Sequence, residues 1–387
     1  MLQATVSWLN DWNRRYQLVK RAFDGIAKGP GTETPWRFGG AIKSANSCVR
    51  LPLDYLAIHD TEFKPSRIGL GTWAIGGRMW GGTDEETSIR TIHAAAEQGI
   101  NFIDTAPAYG FGRSEEIIGK ALRENGMRDR VILATKAGIE WSDNRAYRNG
   151  TKERIFAEID DSLRRLGVET IDLYQVHWPD PLVAIEETAE AMRRLYEQGK
   201  IRAIGVCNFT VEEIERFRRV APLHTCQTPF NLFEQKAGRP VLAHDFQEGI
   251  TTLKYGALCR GLLSARMRSD TTFTGDDLRN IDPKFKPPRY AQYLEAVSRL
   301  DTLAKKYQKR VIHLALRWIL DQEGSGVALW GIRRPDQLEP IEGAFGWSLG
   351  VEDMETIEEI LRQTVADPIG PDFMSTRIRP QEPVKSA

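Results

Sequence analysis

The chain has 387 residues, of which 41% are hydrophobic and 27% are charged, so it can bury a large core and is not intrinsically disordered. Lysine plus arginine and aspartate plus glutamate both total 53, which leaves no net charge to attract nucleic acid or an anionic membrane. No apolar stretch reaches the roughly 18 residues needed to span a bilayer, so we expect a small-molecule partner, no nucleic acid and no membrane insertion.

The first 50 residues lack the regular pattern of a folded domain. Met1–Lys28 is basic and moderately amphipathic, and residues 29–50 are rich in glycine, proline and serine without a period. We expect residues 1–50 to form a flexible N-terminal extension. A transit peptide is the alternative, but Asp11, Asp24 and the two tryptophans of Met1–Lys28 argue against it.

The next segment, residues 53–66, predicts a β-hairpin that plugs the bottom of a barrel. From residue 68 onward, short apolar runs alternate with amphipathic helical runs. The predicted strands are Ile68–Thr72, Asn101–Asp104, Val131–Thr135, Ile171–Val176, Ile201–Val206, His224–Gln227, Thr251–Tyr255 and Val327–Trp330. The predicted helices between them are Asp84–Gln98, Ser114–Glu124, Lys152–Leu166, Ala184–Gln198, Val211–Val220 and Phe233–Gln247.

This alternation determines the predicted fold class. Strict βα order predicts an α/β protein with a parallel sheet, and eight repeats favour a closed (β/α)8 TIM barrel over an open doubly wound sheet. We assign residues 51–363 to the barrel and residues 364–387 to a C-terminal tail. Ser269–Tyr290 predicts a long surface loop. The tail folds over the pocket or onto a neighbouring molecule, and the sequence leaves both open.

Three of the predicted strands end in residues with chemically useful side chains. Asp104, Lys136 and His177 each close an apolar run, and Tyr109 follows Asp104 by five residues. The carboxyl ends of barrel strands carry the active site. An ammonium lowers the pKa of a nearby phenol, so Lys136 beside Tyr109 suggests a proton donor for the reduction of a carbonyl by hydride. The pattern predicts an oxidoreductase.

Each of these residues also has a structural alternative. Tyr109 could be a loop aromatic, Asp104 and Lys136 a structural ion pair, and His177 a hydrogen-bonded strand-end histidine. Their convergence at one end of one barrel favours the catalytic interpretation over four separate structural roles.

The chain resembles the aldo-keto reductases from about Leu53 to Leu361. The motifs that carry the resemblance are Gly71-Thr72-Trp73, Asn101-Phe102-Ile103-Asp104-Thr105-Ala106, Tyr109-Gly110, Thr135-Lys136, His177-Trp178-Pro179 and Gly205-Val206-Cys207-Asn208-Phe209. The resemblance implies that Tyr109 donates the proton, that Lys136 and Asp104 tune it, and that His177 orients the carbonyl. It also implies a nicotinamide cofactor held without a Rossmann domain.

The resemblance implies a set of cofactor contacts as well, namely Gly71, Thr72, Trp73, Asn208, Gln227, Tyr255, Leu258, Arg260, Gly331, Arg333 and Gln337. In this set Asn208 and Gln227 hold the carboxamide and Tyr255 stacks on the nicotinamide ring. Arg333 and Arg334 favour the 2′-phosphate of NADP(H), with NAD(H) as the alternative. This chain has Pro340 where the family often places an asparagine against adenine.

The G-x-G-x-x-A match at Gly69–Ala74 is not a dinucleotide fingerprint, because more glycines follow before any helix begins. Four tryptophans are predicted to wall an apolar substrate pocket: Trp73, Trp80, Trp141 and Trp178. His93 and His313 lack metal-ligand spacing, so we expect no catalytic metal.

Four cysteines, Cys48, Cys207, Cys226 and Cys259, form no Cys-x-x-Cys pair, and three of them lie in or beside apolar strand-like segments. Reduced thiols of this kind predict a cytoplasmic protein.

The sequence supports one main function and two alternatives. The main prediction is an NADPH-dependent enzyme that interconverts an aldehyde or ketone, including sugar-derived ones, and its alcohol. Lys136 could instead be the amine of a Schiff-base aldolase. The chain could also be a non-enzymatic, cofactor-binding and redox-sensing partner subunit, similar to the family members that associate with potassium channels. The substrate, the direction and the oligomeric state are left open.

Overall fold

The computed structural model describes residues 53–322, 324 and 326–380. The predicted extension, residues 1–50, lies outside the described residues. The strands are β1 (Ile68–Gly71), β2 (Phe102–Asp104), β3 (Ile132–Ala137), β4 (Ile139–Ser142), β5 (Arg145–Arg148), β6 (Leu173–Val176), β7 (Ile204–Cys207), β8 (Thr225–Pro229), β9 (Thr251–Tyr255), β10 (Gly326–Gly331) and β11 (Arg377–Ile378). The α-helices are α1 (Glu85–Glu97), α2 (Arg113–Glu124), α3 (Lys152–Leu166), α4 (Ile185–Glu197), α5 (Val211–Arg218), α6 (Gly238–Glu248), α7 (Arg289–Lys305), α8 (Val311–Leu320) and α9 (Val351–Thr364).

Eight of these strands close into a parallel barrel in the order β1, β2, β3, β6, β7, β8, β9 and β10, and β10 pairs with β1. All eight predicted strands are present, and the predicted (β/α)8 barrel is confirmed. No helix of the described residues is long and apolar enough to cross a membrane.

The helices begin and end where local chemistry satisfies their free backbone groups. Asp84 caps α1 by accepting a hydrogen bond from the Thr87 amide at 2.7 Å. Thr210 and Glu213 form a reciprocal capping box at the start of α5. Gly167 ends α3 in the left-handed conformation, with a φ of 68°. These local signals lie in the sequence, which is why the bounds of α1 and α3 agree closely with the prediction.

The bottom of the barrel is closed by the predicted hairpin. The Ile58 amide donates to the Phe63 carbonyl at 3.0 Å, and both side chains pack against inward-facing barrel residues that include Phe102 and Leu329. The two-residue period of the strands therefore gives a barrel interior that is apolar at this end. The polar inward-facing residues, among them Lys136, lie toward the opposite end.

Two parts of the fold differ from the prediction. The helix after β8 begins at Gly238 rather than Phe233, because Asn231 and Glu234 exchange two backbone hydrogen bonds and turn the chain first. The β4–β5 hairpin was not predicted, and β11 from the C-terminal tail pairs with β5 in parallel. The tail therefore lies along this hairpin.

Lys254 on β9 is a buried amine that faces outward from the barrel toward α8. Its Nζ atom lies 3.4 Å from the Ile319 carbonyl oxygen at the end of that helix. Burial lowers the pKa of Lys254 to about 7; the charge of Arg67 adds to this effect, and Asp245 opposes it. Folding therefore requires this amine to lose a proton or to be buried as a charge.

We expect Lys254→Met to stabilise the protein at neutral and lower pH. Because the pKa of this amine is lower in the folded state, the unfolded chain binds more protons between pH ~7 and the ordinary lysine pKa of ~10.4. The wild-type protein should therefore gain stability across that window, and the advantage of the variant should be largest below pH ~7 and shrink as the pH rises. Thermal unfolding of the wild type and of Lys254→Met over this pH range measures the difference in stability, with the exposed Lys286→Met as the control. A pH-independent difference would contradict the argument.

Candidate active site

A large cavity lies at the carboxyl ends of the barrel strands and has a volume of about 790 Å³. Loops that follow β1, β2, β6, β7, β9 and β10 contribute to its wall, and so does the tail from Phe373 to Arg377. Every residue predicted to contact the cofactor lines this cavity. Its volume and position are typical of an enzyme site for a small molecule or a cofactor.

Lys136 is fully buried at the floor of the cavity, and all three of its ammonium hydrogens have acceptors. The Nζ atom donates to Asp104 Oδ2 at 2.8 Å, to the Thr105 carbonyl at 2.9 Å and to the Tyr109 hydroxyl at 3.2 Å. The ion pair with Asp104 compensates for burying the charge. The ammonium thus joins the acid and the phenol, as the sequence predicted.

Close backbone contact positions Tyr109. Gly76, in the loop after β1, lies so close that an added Cβ would be 2.6 Å from the Tyr109 carbonyl atoms. Gly110 has a φ of 67°, and a Cβ there would be 2.2 Å from the Gly76 oxygen. Glycine at both positions lets the two loops pack backbone against backbone. The hydroxyl of Tyr109 is thereby directed to Lys136.

The pKa values of this pair differ from the predicted pattern. Burial raises the pKa of Tyr109 to about 12, although the Lys136 ammonium opposes that rise. The predicted net lowering was wrong, because desolvation of the phenolate exceeds the attraction of the cation. Burial alone would lower the pKa of Lys136, but Asp104 and Tyr109 raise it overall. At neutral pH the phenol therefore keeps its proton and the amine keeps its charge.

His177 follows β6 and completes the predicted group of four. Its ring lies edge-on to the Tyr109 ring, with centroids 5.8 Å apart. Burial and the charge of Lys136 hold the pKa of His177 well below its ordinary value. The imidazole is therefore neutral at pH 7, and its buried Nδ1 atom has no hydrogen-bond partner within the described part of the chain. A neutral ring can donate one N–H to an oxygen beside Tyr109.

Asn208, Gln227 and Tyr255 form a polar wall beside these residues. Asn208 has a φ of 63°, which asparagine tolerates better than most residues. Its side chain donates to the His177 carbonyl at 3.0 Å and accepts from the Tyr255 hydroxyl at 2.8 Å. One lone pair of the amide oxygen is then left for a ligand. The Gln227 amide points inward, where its Nε2 atom donates to Asp104 at 2.9 Å.

Cationic side chains outnumber carboxylates in the cavity lining. Among the residues that the structure describes, Asp104 is the one carboxylate of the lining, and nine arginines belong to it: Arg78, Arg145, Arg260, Arg266, Arg279, Arg310, Arg333, Arg334 and Arg377. Five of the nine pair with carboxylates outside the lining, as Arg279 does with Asp277, and the cationic field that remains attracts anionic ligands. Arg260, predicted as a cofactor contact, has its guanidinium in a buried cluster with Glu234 and Asp282, its Nε atom being 2.7 Å from Asp282. Its backbone is thus the part open to a ligand.

Aromatic side chains form the apolar wall, with one difference from the prediction. Trp73 stacks on Tyr109 at 6.0 Å between centroids, and Trp80 meets Trp73 edge-on at 5.6 Å. Trp178 also lines the cavity. Trp141 does not: it stacks at 5.3 Å behind Phe111, and Phe111 takes the lining position that was predicted for Trp141.

Three loops meet across one side of the cavity, a feature that the sequence did not reveal. Asp276 accepts hydrogen bonds from the amides of Met79 at 2.8 Å and Gly81 at 3.0 Å. Arg333 donates to the Trp80 carbonyl at 2.7 Å. These contacts join the loops after β1, β9 and β10. The tail lies on the other side, where Arg148 donates to the Thr376 carbonyl at 2.9 Å.

The tail position resolves one alternative from the sequence analysis, since residues 373–377 line the pocket. No local signal marked this placement, because Arg148, which binds residues 375 and 376, lies more than 200 residues away along the chain.

Comparison with known proteins agrees with this architecture. Residues 67–362 match the model of the Aldo/keto reductase family. Aldo-keto reductase YhdN of Bacillus subtilis is 59% identical over 328 residues, covering 84% of this chain and 99% of that protein. The NADH-specific methylglyoxal reductase of Escherichia coli is 33% identical over 78% of this chain and 96% of its own length.

Solved structures show the same barrel. The glycerol dehydrogenase AKR11B4 from Gluconobacter oxydans superposes with a TM-score of 0.76 at 48% identity, covering 83% of this chain and 99% of that one. The holo form of AKR11C1 from Bacillus halodurans superposes with a TM-score of 0.67 at 24% identity, covering 80% of this chain and 96% of that one, which supports the fold alone. The family match extends over the whole barrel and over every motif that carried the resemblance. The chain belongs to the aldo-keto reductase family.

Proposed function

We propose that this protein is an NADPH-dependent reductase of aldehydes or ketones that uses Tyr109 as its proton donor. The observation that carries the proposal is the hydrogen bond from Lys136 to the Tyr109 hydroxyl at the floor of a cavity. A buried phenol that is protonated at neutral pH, and that has an ammonium placed to stabilise its anion, is suited to give a proton to a carbonyl oxygen.

Each residue of this group has a separate role in the proposed reaction. A reduced nicotinamide held beside Asn208 and Tyr255 would supply the hydride for the carbonyl carbon. Tyr109 gives its proton to the carbonyl oxygen, so that the substrate leaves as an alcohol. Lys136 stabilises the resulting phenolate, and Asp104 keeps the ammonium charged. The neutral His177 donates a hydrogen bond to the same oxygen and fixes its position. The same groups serve alcohol oxidation in reverse.

The cavity fits a phosphorylated dinucleotide. Its volume of about 790 Å³ and the excess of arginines over carboxylates in its lining suit a large, anionic ligand. The free lone pair of Asn208 suits the N–H of a carboxamide, and Tyr255 lies beside it for stacking. Arg333 and Arg334 support NADPH over NADH, because a guanidinium pairs with a phosphate bidentately.

The Schiff-base alternative does not fit the geometry of Lys136. An amine that attacks a carbonyl must be neutral and free. Lys136 donates three hydrogen bonds, and the carboxylate of Asp104 favours its charged form. We therefore assign Lys136 an electrostatic role.

We also propose the cytoplasm as the compartment of this protein. Cys207, Cys226 and Cys259 are buried free thiols that form no disulfide among the described residues. Reduced thiols are typical of proteins kept in a reducing compartment.

The test follows the oxidation of NADPH and NADH by the purified protein against aldehydes, ketones and aldoses. Methylglyoxal and glycerol belong in this panel, because relatives are named for them. We expect turnover with at least one carbonyl and a higher kcat/KM for NADPH. Tight cofactor binding without turnover on any substrate would overturn the proposal and favour a non-enzymatic partner subunit. Borohydride trapping of a carbonyl on Lys136 would favour an aldolase.

The cofactor assignment has its own control. Arg333→Met and Arg334→Met should each weaken NADPH binding by about tenfold or more, since a charged hydrogen bond contributes ~1.5–3 kcal/mol. NADH affinity should change little, and the control Arg90→Met, an exposed arginine of α1 outside the cavity lining, should leave both affinities unchanged. Equal losses for the two cofactors would contradict recognition of the 2′-phosphate.

A further inference from the structure

The Asp104 carboxylate receives more hydrogen bonds than its ion pair with Lys136 supplies. Its Oδ2 atom accepts from Lys136, while its Oδ1 atom accepts from Gln175 Nε2 at 3.1 Å and from Gln227 Nε2 at 2.9 Å. Gln227 also donates to Gln175 Oε1 at 3.0 Å. All four side chains are buried. The one carboxylate of Asp104 therefore accepts hydrogen bonds from two amides and one ammonium.

The direction of these hydrogen bonds is fixed by chemistry. An ionised carboxylate can only accept, so both glutamines must turn an N–H toward Asp104. The second N–H of Gln227 then donates to the oxygen of Gln175, so each hydrogen bond of this network has one donor and one acceptor. If the amide oxygen and nitrogen of Gln175 exchanged places, the Gln175 oxygen would lie against the Asp104 oxygen, and the two would repel.

The barrel is built to hold Gln175 in this place. β3 and β6 pair so that Lys136 and Gln175 are direct neighbours, with both side chains inside the barrel. Gly205 on β7 leaves the space that the side chain occupies, since an added Cβ there would be 2.8 Å from Gln175 Cγ. Gln175 is fully buried and is not among the residues that line the cavity. Its amide therefore acts on Asp104 and not on a substrate directly.

We propose that Gln175 is a positioning residue for proton transfer: its amide shares the Asp104 carboxylate with Lys136, and so leaves the ammonium charge less completely neutralised where it faces the Tyr109 hydroxyl. This inference rests on the proposed function, because it concerns the same proton donor. It adds a residue outside the group of four and gives it a role through Asp104.

The consequence follows from Coulomb's law. A donor on Oδ1 draws part of the negative charge of Asp104 away from Lys136, and the ammonium then stabilises the phenolate of Tyr109 more strongly. Without that donor, the field of Asp104 acts more fully on Tyr109 and raises the pKa of its hydroxyl. The other titratable groups that face this network are His177, Cys207 and Tyr255, and none of them touches Gln175 through a hydrogen bond of the described structure.

The test compares wild type with Gln175→Met, which keeps an unbranched side chain of similar length and removes the amide. Tyr174→Phe is the matched control. It changes the neighbouring residue of the same strand, whose buried side chain packs outside the barrel against the helices. The unfolding temperature of each variant is compared with that of the wild type, and the NADPH affinity of each is measured by fluorescence. A purely structural role for Gln175 predicts that the two behave alike.

We expect a specific change in the pH profile. Alcohol oxidation needs the phenolate, and the positive nicotinamide ring of an oxidised cofactor would lower the pKa of Tyr109 in that complex from about 12, so the rate rises with pH through this lowered pKa. In Gln175→Met this rise should move upward by about half a pH unit or more, and carbonyl reduction at neutral pH should slow about three- to tenfold. KM and cofactor affinity should change less than twofold. An unshifted profile with a lowered kcat would overturn the proposal, since misfolding alone lowers the amount of active protein.

A second measurement needs no turnover. The ¹³C resonance of the hydroxyl-bearing ring carbon of Tyr109, assigned by its loss in Tyr109→Phe, should begin to move toward the phenolate position at higher pH in Gln175→Met than in wild type. If wild type lacks Tyr109-dependent turnover, the proposed function fails, whatever the resonance does. If turnover depends on Tyr109 but neither the profile nor the resonance moves, the inference about Gln175 fails alone.

Discussion

Tyr109→Phe is expected to lower kcat by about 10²–10⁴-fold while NADPH binds almost as tightly as to wild type. The ring of phenylalanine preserves the stacking on Trp73, and the change removes only the hydroxyl that faces Lys136. The lost atom is the one that carries the transferred proton. The other residues would still bind the cofactor and polarise the carbonyl, so the residual rate comes from positioning and electrostatics alone.

The measurement is single-turnover oxidation of bound NADPH, with cofactor affinity taken from fluorescence. Tyr290→Phe is the matched control, because its hydroxyl donates to the Arg268 carbonyl and lies outside the cavity lining. Loss of cofactor binding in Tyr109→Phe would indicate a structural role. Turnover near the wild-type rate would show that another group donates the proton.

Much of this site follows from short-range patterns. Asp104, Lys136 and His177 could be predicted because each ends an apolar run, and barrel topology brings the ends of all parallel strands to one edge. The two-residue period of β6 places Leu173, Gln175 and His177 on the same inner face, so this period could also have identified Gln175. The motif at His177 is a local signal, whereas Gln175 is identified only by following the two-residue period backward from His177 along β6.

The features that the sequence did not reveal depend on contacts between distant segments. Asp276 joins the loop after β1 across nearly 200 residues, and the tail reaches Arg148 across more than 200. No periodicity or turn chemistry encodes such pairs. Trp141 was assigned to the pocket because it follows β3, but the β4–β5 hairpin turns it behind Phe111. The pKa of Tyr109 was predicted with the wrong sign, because the depth of burial cannot be read from a loop sequence.

Lys136→Met is expected to affect both stability and activity. It leaves the Asp104 carboxylate buried without its ammonium, and breaking such a pair from one side costs about 3–5 kcal/mol. That is a large fraction of the ~5–15 kcal/mol by which proteins of this kind are stable. Turnover should fall about a hundredfold or more, since the phenolate of Tyr109 loses the charge that stabilises it.

Combining Lys136→Met with Asp104→Asn separates the two effects. Asparagine removes the orphaned charge and keeps an oxygen that can accept from Gln175 and Gln227. The double variant should therefore regain more than half of the lost free energy of unfolding, as measured by urea denaturation, while its turnover stays at the level of Lys136→Met. Stability losses that simply add would contradict direct coupling between the two charges. Recovery of turnover would contradict the role of Lys136, because the double variant contains no cation beside the Tyr109 hydroxyl.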